Sequence, residues 1–267
     1  MGALHAGHLS LVGRAREDSD FCLVSIFVNP GQFDRKEDLN AYPVDIDNDL
    51  KLLGKANVDF AFLPDEREMY PNGFRTKVVE SPLSSCLEGS ARPGYFDGVC
   101  TVLAKFFNIV EPQRVYFGQK DAQQLLVVRK MAADLNFPLE VVGCPTVREP
   151  DGLAISSRNR LLSPHFRNQA PILFRSLSLA KSAVRKGERD SAAIIDLVSR
   201  NITESTDAEM DYVAVNHSQT LERLDRIGEN TLISLAAFFG DVRLMDSIEI
   251  TERRSRKASK KTTAQPL

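Results

Sequence analysis

The chain has 267 residues, of which 43% are hydrophobic and 26% are charged, and its formal net charge is −2. These values are ordinary for a soluble globular protein of one large domain or two smaller ones. A net charge this close to zero gives no general attraction for nucleic acid or for an anionic membrane, so an anionic substrate must be bound by a local site.

The cysteines and the N-terminal residues indicate a cytoplasmic protein. The four cysteines are scattered without a CxxC pair, which is typical of reduced thiols and disfavours a zinc site. The first residues do not follow the pattern of a signal peptide, and no apolar run approaches the ~20 residues of a membrane span. We therefore expect a cytoplasmic protein that has neither nucleic acid nor membrane as a partner.

Helix-like and strand-like segments alternate over residues 1–160. Apolar residues at helical spacing predict helices, and short apolar runs predict buried strands. In chain order the predicted elements are helix 9–18, strand 21–28, helix 44–57, strand 58–64, helix 98–110, strand 114–118, helix 121–136 and strand 138–145. This alternation predicts an α/β fold with a Rossmann-like, doubly wound parallel sheet and right-handed crossovers.

The pattern changes after residue 160, where helical segments are followed by strands. The predicted elements here are helices 163–187 and 190–202 and strands 209–217 and 231–239. We therefore expect a smaller C-terminal α+β domain over residues 161–251. Residues 252–267 are basic and lack apolar periodicity, which predicts a disordered tail or, alternatively, an anion-binding arm.

The first motif with chemical character is HAGH, in which His5 and His8 lie three residues apart across Gly7. At the first turn of a helix, residues at this spacing share a face. The unpaired N–H groups of a helix N-terminus attract anions, and Gly7 allows a ligand to approach the backbone closely. The motif suggests a phosphate site, although an ordinary helix start or a metal-binding histidine pair would show the same residues.

Two further motifs carry charges suited to phosphate. Lys120 and Asp121 follow the third predicted strand, at the end of the sheet where ligands bind in open α/β folds. Ser156, Ser157 and Arg158 offer two hydroxyls and a guanidinium that matches phosphate oxygens. Each motif taken alone is equally compatible with a solvated helix start or a polar loop.

The fourth motif is NPGQF, in which Asn29 and Gln32 follow the strand 21–28. Their amides can recognise hydroxyls and carboxylates. Neither the dinucleotide fingerprint GxGxxG nor the P-loop GxxxxGK[ST] occurs in the sequence. The four motifs together indicate a phosphate site at the mouth of a parallel sheet, without an obvious pair of nucleophile and base.

These motifs resemble those of a known family. HAGH resembles the HIGH motif of the nucleotidylyltransferase superfamily, and ISSRN resembles the serine-rich counterpart of its KMSKS loop. Six segments in the same order resemble the pantothenate synthetase (pantoate–β-alanine ligase) family: MGALHAGHLSLV, VSIFVNPGQF, EDLNAYP, LEGSARPGYFDGV, VYFGQKDAQQL and PTVREPDGLAISSRN. The resemblance runs from Met1 to about Ile250 and leaves out the basic tail.

The resemblance implies an ATP-dependent ligase of vitamin B5 and coenzyme A biosynthesis. Its reaction would condense pantoate with β-alanine through pantoyl adenylate, giving pantothenate, AMP and pyrophosphate. Mg²⁺ would bridge phosphate oxygens, and the enzyme would be a homodimer with pantoate, β-alanine and ATP as its small-molecule partners. No covalent enzyme intermediate is implied, so catalysis would rest on positioning and on stabilising oxyanions.

By motif position, the resemblance also implies roles for individual residues. The catalytic set would be His8, its phosphate-binding companion His5, Lys120 and Arg158. The residues that bind pantoate or β-alanine would be Gln32, Gln124 and Asn29. ATP would be lined by Met1, Gly2, Leu4, His5, Gly7, His8, Gly118, Gln119, Lys120, Asp121, Val147, Ile155, Ser156, Ser157 and Arg158.

Several positions depart from the family pattern. Gly31 stands where a larger apolar residue is usual, which would loosen the pantoate wall, and Tyr95 replaces a frequent histidine in RPGYF. Asn48 interrupts an acidic run near the metal, which leaves Asp49 as a weak candidate ligand. Family members also place a strand and a Pro-Thr before the first motif. We therefore expect the first strand of the sheet to be missing from this sequence and the activity to be impaired, whether the cause is a misassigned start or a truncation.

Two other hypotheses stay open. A different adenylyl- or cytidylyltransferase would share HAGH and the Ser-Ser-Arg loop but would not need Gln32 and Gln124. A catalytically inactive, dimerising scaffold would be consistent with a missing strand. A synthetase that charges tRNA is disfavoured because the chain is short and not basic.

Overall fold

A computed structural model describes residues 1–33, 39 and 42–251. The predicted tail, residues 252–267, and part of the EDLNAYP motif lie outside the described residues. The helices are α1 (Ala6–Asp18), α2 (Ile46–Lys55), α3 (Glu66–Met69), α4 (Glu88–Ala91), α5 (Tyr95–Val110), α6 (Ala122–Asp134), α7 (Pro164–Gln169), α8 (Ile172–Arg185) and α9 (Ser191–Thr203). The strands are β1 (Leu23–Ser25), β2 (Phe60–Phe62), β3 (Arg114–Gly118), β4 (Glu140–Cys144), β5 (Glu209–His217), β6 (Thr231–Phe239) and β7 (Val242–Ile250). None of these helices is long and apolar enough to cross a membrane.

The first four strands form two parallel pairs. β1 pairs with β2, with Leu23 opposite Phe60, and β3 pairs with β4, with Arg114 opposite Glu140. The prediction of an α/β fold with parallel strands is therefore confirmed. Within the described part of the chain the two pairs are not hydrogen-bonded into one sheet. The predicted strand 21–28 is also shortened to the three residues of β1.

Met1 lies beside the extension of β1. Its amino group donates to the carbonyl oxygen of Ser25 at 2.8 Å, and the amide of Phe27 donates to the carbonyl oxygen of Met1 at 3.1 Å. These two hydrogen bonds are the ones that a single residue makes with the neighbouring strand in a parallel sheet. The chain therefore runs alongside β1 before it enters α1. That the first strand of the sheet is missing stays a prediction.

One apolar cluster fixes the start of α1 relative to the first strands. Leu4, Val12, Val24 and Leu53 are 1–3% exposed and pack together. They come from the residues before α1, from α1 itself, from β1 and from α2. Burying such side chains contributes roughly 1.5–3 kcal/mol each. The position of the HAGH motif is thus set by the core beneath it.

The C-terminal residues form an antiparallel sheet in the order β5-β6-β7, covered by α8 and α9. A smaller C-terminal α+β unit is therefore present, as predicted. The sequence did not predict β7, because Arg243, Asp246 and Glu249 interrupt its apolar pattern. The division of the chain at residues 160/161 stays a prediction.

Two arginine–carboxylate pairs attach β7 to the rest of the molecule. The guanidinium of Arg148 donates to both oxygens of Asp246, at 2.5 and 2.9 Å, and Asp246 is 2% exposed. The guanidinium of Arg243 donates to both oxygens of Glu88, at 2.6 and 2.9 Å. Paired, hydrogen-bonded geometry of this kind is what makes buried charges tolerable. These pairs hold the C-terminal sheet against α4 and the loop after β4.

The loop after β1 packs directly on α5. A Cβ added at Gly98 would lie 2.1 Å from the carbonyl oxygen of Gly31, so only glycine fits at position 98. Asn29 closes this contact: its amide nitrogen donates to the carbonyl oxygen of Gly98 at 3.0 Å, and its amide oxygen accepts from the Gly31 N–H at 3.1 Å. The contact places Gln32 at the start of α5.

Gly98→Ala should lower the free energy of unfolding by about 1–3 kcal/mol, because the added methyl group meets a backbone oxygen. Gly13→Ala in α1 is the matched control, since nothing lies within 4 Å of its Cβ position. Alanine there should leave the stability unchanged or raise it by up to ~1 kcal/mol. Denaturant unfolding of the three proteins measures the difference. A Gly98→Ala protein as stable as the wild type would contradict the close packing.

Candidate active site

The two histidines of HAGH stack at the N-terminus of α1. Their ring centroids are 3.9 Å apart and their planes are inclined by 19°. His5 is the N-cap residue, with extended backbone (φ −144°, ψ 175°), and its carbonyl oxygen accepts from the Leu9 N–H at 3.0 Å. The spacing of three residues therefore brings the rings to one face, as the sequence predicts.

Residues on either side of the motif hold this arrangement. A Cβ added at Gly7 would lie 3.0 Å from two atoms of the His5 ring, so the absence of a side chain at position 7 leaves space for that ring. The Leu4 N–H donates to Asp49 Oδ1 at 2.7 Å, and Arg160 donates to the Leu4 carbonyl oxygen at 3.4 Å. Both backbone polar groups of Leu4, the residue before His5, are thus hydrogen-bonded, and these bonds fix the chain that leads into the stacked rings.

Burial keeps both imidazoles uncharged. It lowers the pKa of His8 to about 3, with further contributions from His5, the N-terminal amine and Lys120. Burial, followed by the charges of Lys120 and Arg160, also lowers the pKa of His5. Both Nδ1 atoms are buried without a hydrogen-bond partner among the described residues.

Lys120 lies next to the stacked rings. β3 ends at Gly118, and a 3₁₀ turn, Gln119–Asp121, leads from it into α6. The side chain of Lys120 is 17% exposed, and its Nζ lies 3.6 Å from the Asp121 carboxylate. Its charge lowers the pKa of both histidines. The turn after β3 thus places the charged Lys120 side chain near the start of α1. This is the position expected for a ligand site, which lies at the carboxyl ends of strands.

The serine-arginine loop begins close to the HAGH motif, since a Cβ added at Gly7 would lie 3.9 Å from the carbonyl oxygen of Ile155. Ser156 caps the 3₁₀ turn Ser157–Leu161, and its hydroxyl oxygen accepts from the Arg158 N–H at 3.3 Å. Lys120, Ser156 and Arg158 line one cleft together with residues of β7. The Ile155 N–H donates to the carbonyl oxygen of Val147 at 3.0 Å, which brings these two predicted nucleotide contacts side by side.

The amides predicted for the substrate lie at the other end of the site. Asn29 is 2% exposed, and its oxygen accepts from the Tyr70 hydroxyl at 2.7 Å in addition to its contacts with Gly31 and Gly98. It therefore shapes the turn that carries Gln32. Gln124, in the first turn of α6, accepts a hydrogen bond from the Tyr95 hydroxyl at 3.3 Å. A substrate contact of Asn29 stays a prediction.

The described residues offer few side chains that could ligate a metal ion. Asp49 is 1% exposed, and its Oδ1 is used by the Leu4 N–H. In residues 1–33, 39 and 42–251, no three His, Cys, Asp or Glu side chains are grouped as a metal site. Asp49 is therefore a support of the HAGH motif in this structure, and its role as a metal ligand stays a prediction.

Sequence reasoning missed two arginines of the site. Arg160 contacts the Leu4 carbonyl oxygen and acts on His5, and Arg92 donates to the carbonyl oxygen of Gln32 at 2.7 Å. Arg92 lies inside the quoted segment LEGSARPGYFDGV, and Arg160 directly follows the quoted segment that ends at Asn159. Their signal was an additional cation in or next to a segment already assigned to the site, but their partners are distant in sequence.

Comparison with known proteins identifies the family. A family model described as pantoate–β-alanine ligase matches residues 1–249. The chain belongs to the pantoate–β-alanine ligase family. Pantothenate synthetase of Thermotoga petrophila is 50% identical over 247 residues, covering 92% of this chain and 88% of that protein. For pantothenate synthetase of a Chloroflexus aurantiacus strain the identity is 51% over 248 residues, with coverages of 92% and 88%.

Solved structures of the pantoate–β-alanine ligase family have the same fold. Pantothenate synthetase from Thermus thermophilus superposes with a TM-score of 0.91 at 47% identity, covering 94% of this chain and 91% of that one. Pantoate–β-alanine ligase from Francisella tularensis gives a TM-score of 0.76 at 30% identity, with coverages of 93% and 87%. That protein is complexed with β,γ-ATP and β-alanine.

The low pKa of His8 predicts a loss of stability in acid. Between the folded value of about 3 and the unfolded value of about 6.5, the unfolded state binds a proton that the folded state does not. The free energy of unfolding therefore falls as the pH drops below about 6.5, and at pH 5 this contribution is at most about 2 kcal/mol.

Denaturant unfolding at pH 7 and pH 5 measures this effect. The His8→Gln variant should lose less stability between the two pH values than the wild type does. Ser10→Ala, which removes an exposed hydroxyl from the same helix turn, should keep the wild-type pH dependence. If His8→Gln and the wild type lose the same amount, the buried neutral state of His8 is wrong.

Proposed function

We propose that this chain catalyses the ATP-dependent condensation of pantoate with β-alanine to pantothenate, with release of AMP and pyrophosphate. This is the reaction of its family. The observation that carries the assignment to this chain is the convergence of the His5–His8 stack, Lys120 and the Ser156–Arg158 loop on one side of the fold. The proposed localisation is cytoplasmic and the proposed assembly a homodimer.

In the first step, an oxygen of the pantoate carboxylate forms a bond to the α-phosphorus of ATP. The bond from that phosphorus to the bridging oxygen breaks, and pyrophosphate leaves with the electron pair. Negative charge grows on the phosphoryl oxygens in the transition state. Lys120 and Arg158 supply positive charge there, and the neutral rings of His5 and His8 supply N–H donors.

In the second step, the amine of β-alanine attacks the carbonyl carbon of pantoyl adenylate. A C–N bond forms, the C–O bond to AMP breaks, and the ammonium proton passes to solvent. The carboxylate and hydroxyls of pantoate are assigned to Gln32 and Gln124, whose amides can donate and accept. Holding the amine next to the carbonyl carbon contributes to the rate by making the reaction effectively unimolecular.

The cysteines support a route without a covalent enzyme intermediate. Burial raises the pKa of Cys22, Cys86 and Cys144, and it raises that of Cys100 to about 12. Near neutral pH these thiols stay protonated and are poor nucleophiles. The raised thiol pKa values are thus consistent with direct transfer between bound substrates.

Mg²⁺ fits this site as an ion bound mainly through ATP. Such an ion keeps several waters and needs only one or two carboxylates from the protein. Asp121, next to Lys120 and with a side chain that is 48% exposed, is the carboxylate that could hold it. The ion would neutralise phosphate charge.

Pantoate, ATP and Mg²⁺ alone should release pyrophosphate, whereas AMP should appear only after β-alanine is added. The reason is that the adenylate can form before the amine arrives. A single-turnover experiment with labelled ATP measures both products, and a mixture without pantoate is the control. The two-step route is wrong if pyrophosphate requires β-alanine, or if labelled AMP is found on the protein.

Lys120→Ala and His8→Ala should each lower kcat by about 10²–10³, the scale for losing one transition-state donor. Gln124→Ala should mainly raise the KM for pantoate, because it removes binding that ground and transition states share. Lys130→Ala and His165→Ala are matched controls, since both residues are more than half exposed and lie outside the cleft.

Steady-state kinetics with pantoate and ATP varied separately distinguish these roles. The controls should keep kcat and both KM values within about twofold of the wild type. Equal changes in the KM for ATP and for pantoate in Lys120→Ala, His8→Ala and Gln124→Ala would contradict the separate roles assigned to them.

A further inference from the structure

The turn that opens α5 touches both glutamines assigned to pantoate. Arg92 donates to the carbonyl oxygen of Gln32 at 2.7 Å, and the Tyr95 hydroxyl donates to Oε1 of Gln124 at 3.3 Å. The Arg92 guanidinium lies 4.1 Å from the centroid of the Tyr95 ring. Contacts therefore run without a break from one glutamine to the other through one arginine and one tyrosine.

The surroundings of Tyr95 keep its hydroxyl protonated. Burial raises the pKa of Tyr95 to about 12, and the charge of Asp121 adds to this effect while Arg92 and Arg158 oppose it. At neutral pH the phenol therefore keeps its proton, which it donates to Oε1 of Gln124. The stacking of a guanidinium on the ring holds the phenol in place, since such contacts contribute even when partly solvated.

A fixed donor determines which way a glutamine amide faces. The terminal torsion of glutamine is broad, and a half-turn about it exchanges an oxygen acceptor for an NH₂ donor. With Oε1 of Gln124 held by the Tyr95 hydroxyl, its Nε2 keeps two N–H groups for another partner. A carboxylate accepts hydrogen bonds and does not donate them, so this orientation suits pantoate.

We propose that Tyr95 is a positioning residue that sets the orientation of the Gln124 amide and thereby the affinity for pantoate. This inference rests on the proposed function, because it needs Gln124 to bind that substrate. Tyr95 acts through Gln124 and does not contact the reacting atoms.

Tyr95→Phe tests the proposal, since it keeps the ring beneath Arg92 and removes only the hydroxyl. The KM for pantoate should rise about three- to tenfold, the scale of one neutral hydrogen bond, while kcat and the KM for ATP stay within about twofold. In a Gln124→Ala background the same substitution should change the KM for pantoate by less than about twofold, because the group that it orients is gone.

Tyr116→Phe is the matched control. It removes a hydroxyl that bonds to the Asp18 carboxylate at 3.4 Å, and it should leave all three constants within about twofold. An unchanged KM for pantoate in Tyr95→Phe would overturn the proposal. The same rise in the Gln124→Ala background, or parallel rises for ATP and pantoate, would also overturn it.

The same measurements separate this inference from the proposed function. Failure of the wild type to release pyrophosphate in response to pantoate would reject the function itself. If the wild type responds but Gln124→Ala leaves the KM for pantoate unchanged, the role of Gln124 is wrong, and the role of Tyr95 is wrong with it.

Discussion

The site depends on two imidazole rings that lie face to face and carry no charge. At a centroid distance of 3.9 Å, two protonated rings would repel by about 4 kcal/mol at an effective dielectric constant near 20. Burial removes that repulsion by lowering the pKa of both rings, and the nearby charge of Lys120 lowers each pKa further. In the free protein, the lowered pKa values thus favour neutral rings, which avoids repulsion between the two rings and between the rings and Lys120. Permanent positive charge near the rings comes from Lys120 and Arg160, both of which lower the pKa of His5.

A bound polyphosphate changes this balance. Its negative charge favours the protonated form of a nearby imidazole, so it raises the pKa of His5 and His8, which Lys120 lowers in the free protein. The free site is thus less positively charged than its inventory of histidine, lysine and arginine suggests. Further positive charge accumulates at the site only when a bound anion compensates it. This suits a reaction whose product is also an anion and must dissociate.

Local features of the fold and the site could be predicted from the sequence, whereas distant contacts could not. Helices α1, α2, α5, α6 and α9 and strands β3 to β6 follow from periodicity, and HAGH forms its shared face because the spacing is short. The short helices α3 and α4 were not predicted, and the predicted helix 163–187 is divided into α7 and α8. Asp49 was interpreted as a weak metal ligand. Its hydrogen bond to Leu4 could not be predicted, because it joins residues 45 positions apart. Arg92 and Gln32 are separated by 60 positions. The run 21–28 looks like one long strand, yet only the residues that meet β2 are paired as a strand.

β7 shows most clearly why the apolar pattern of the sequence did not predict the structure. Arg243 and Asp246 interrupt the apolar pattern of the strand, but each is half of a buried or half-buried ion pair that joins the C-terminal sheet to Glu88 and Arg148. Desolvating these charges costs free energy that an apolar contact would not cost. The two bidentate pairs fix β7 relative to α4 and the loop after β4 in a defined geometry, which an apolar contact would not do. β7 in turn forms part of the wall of the cleft that Lys120 and Arg158 share with it.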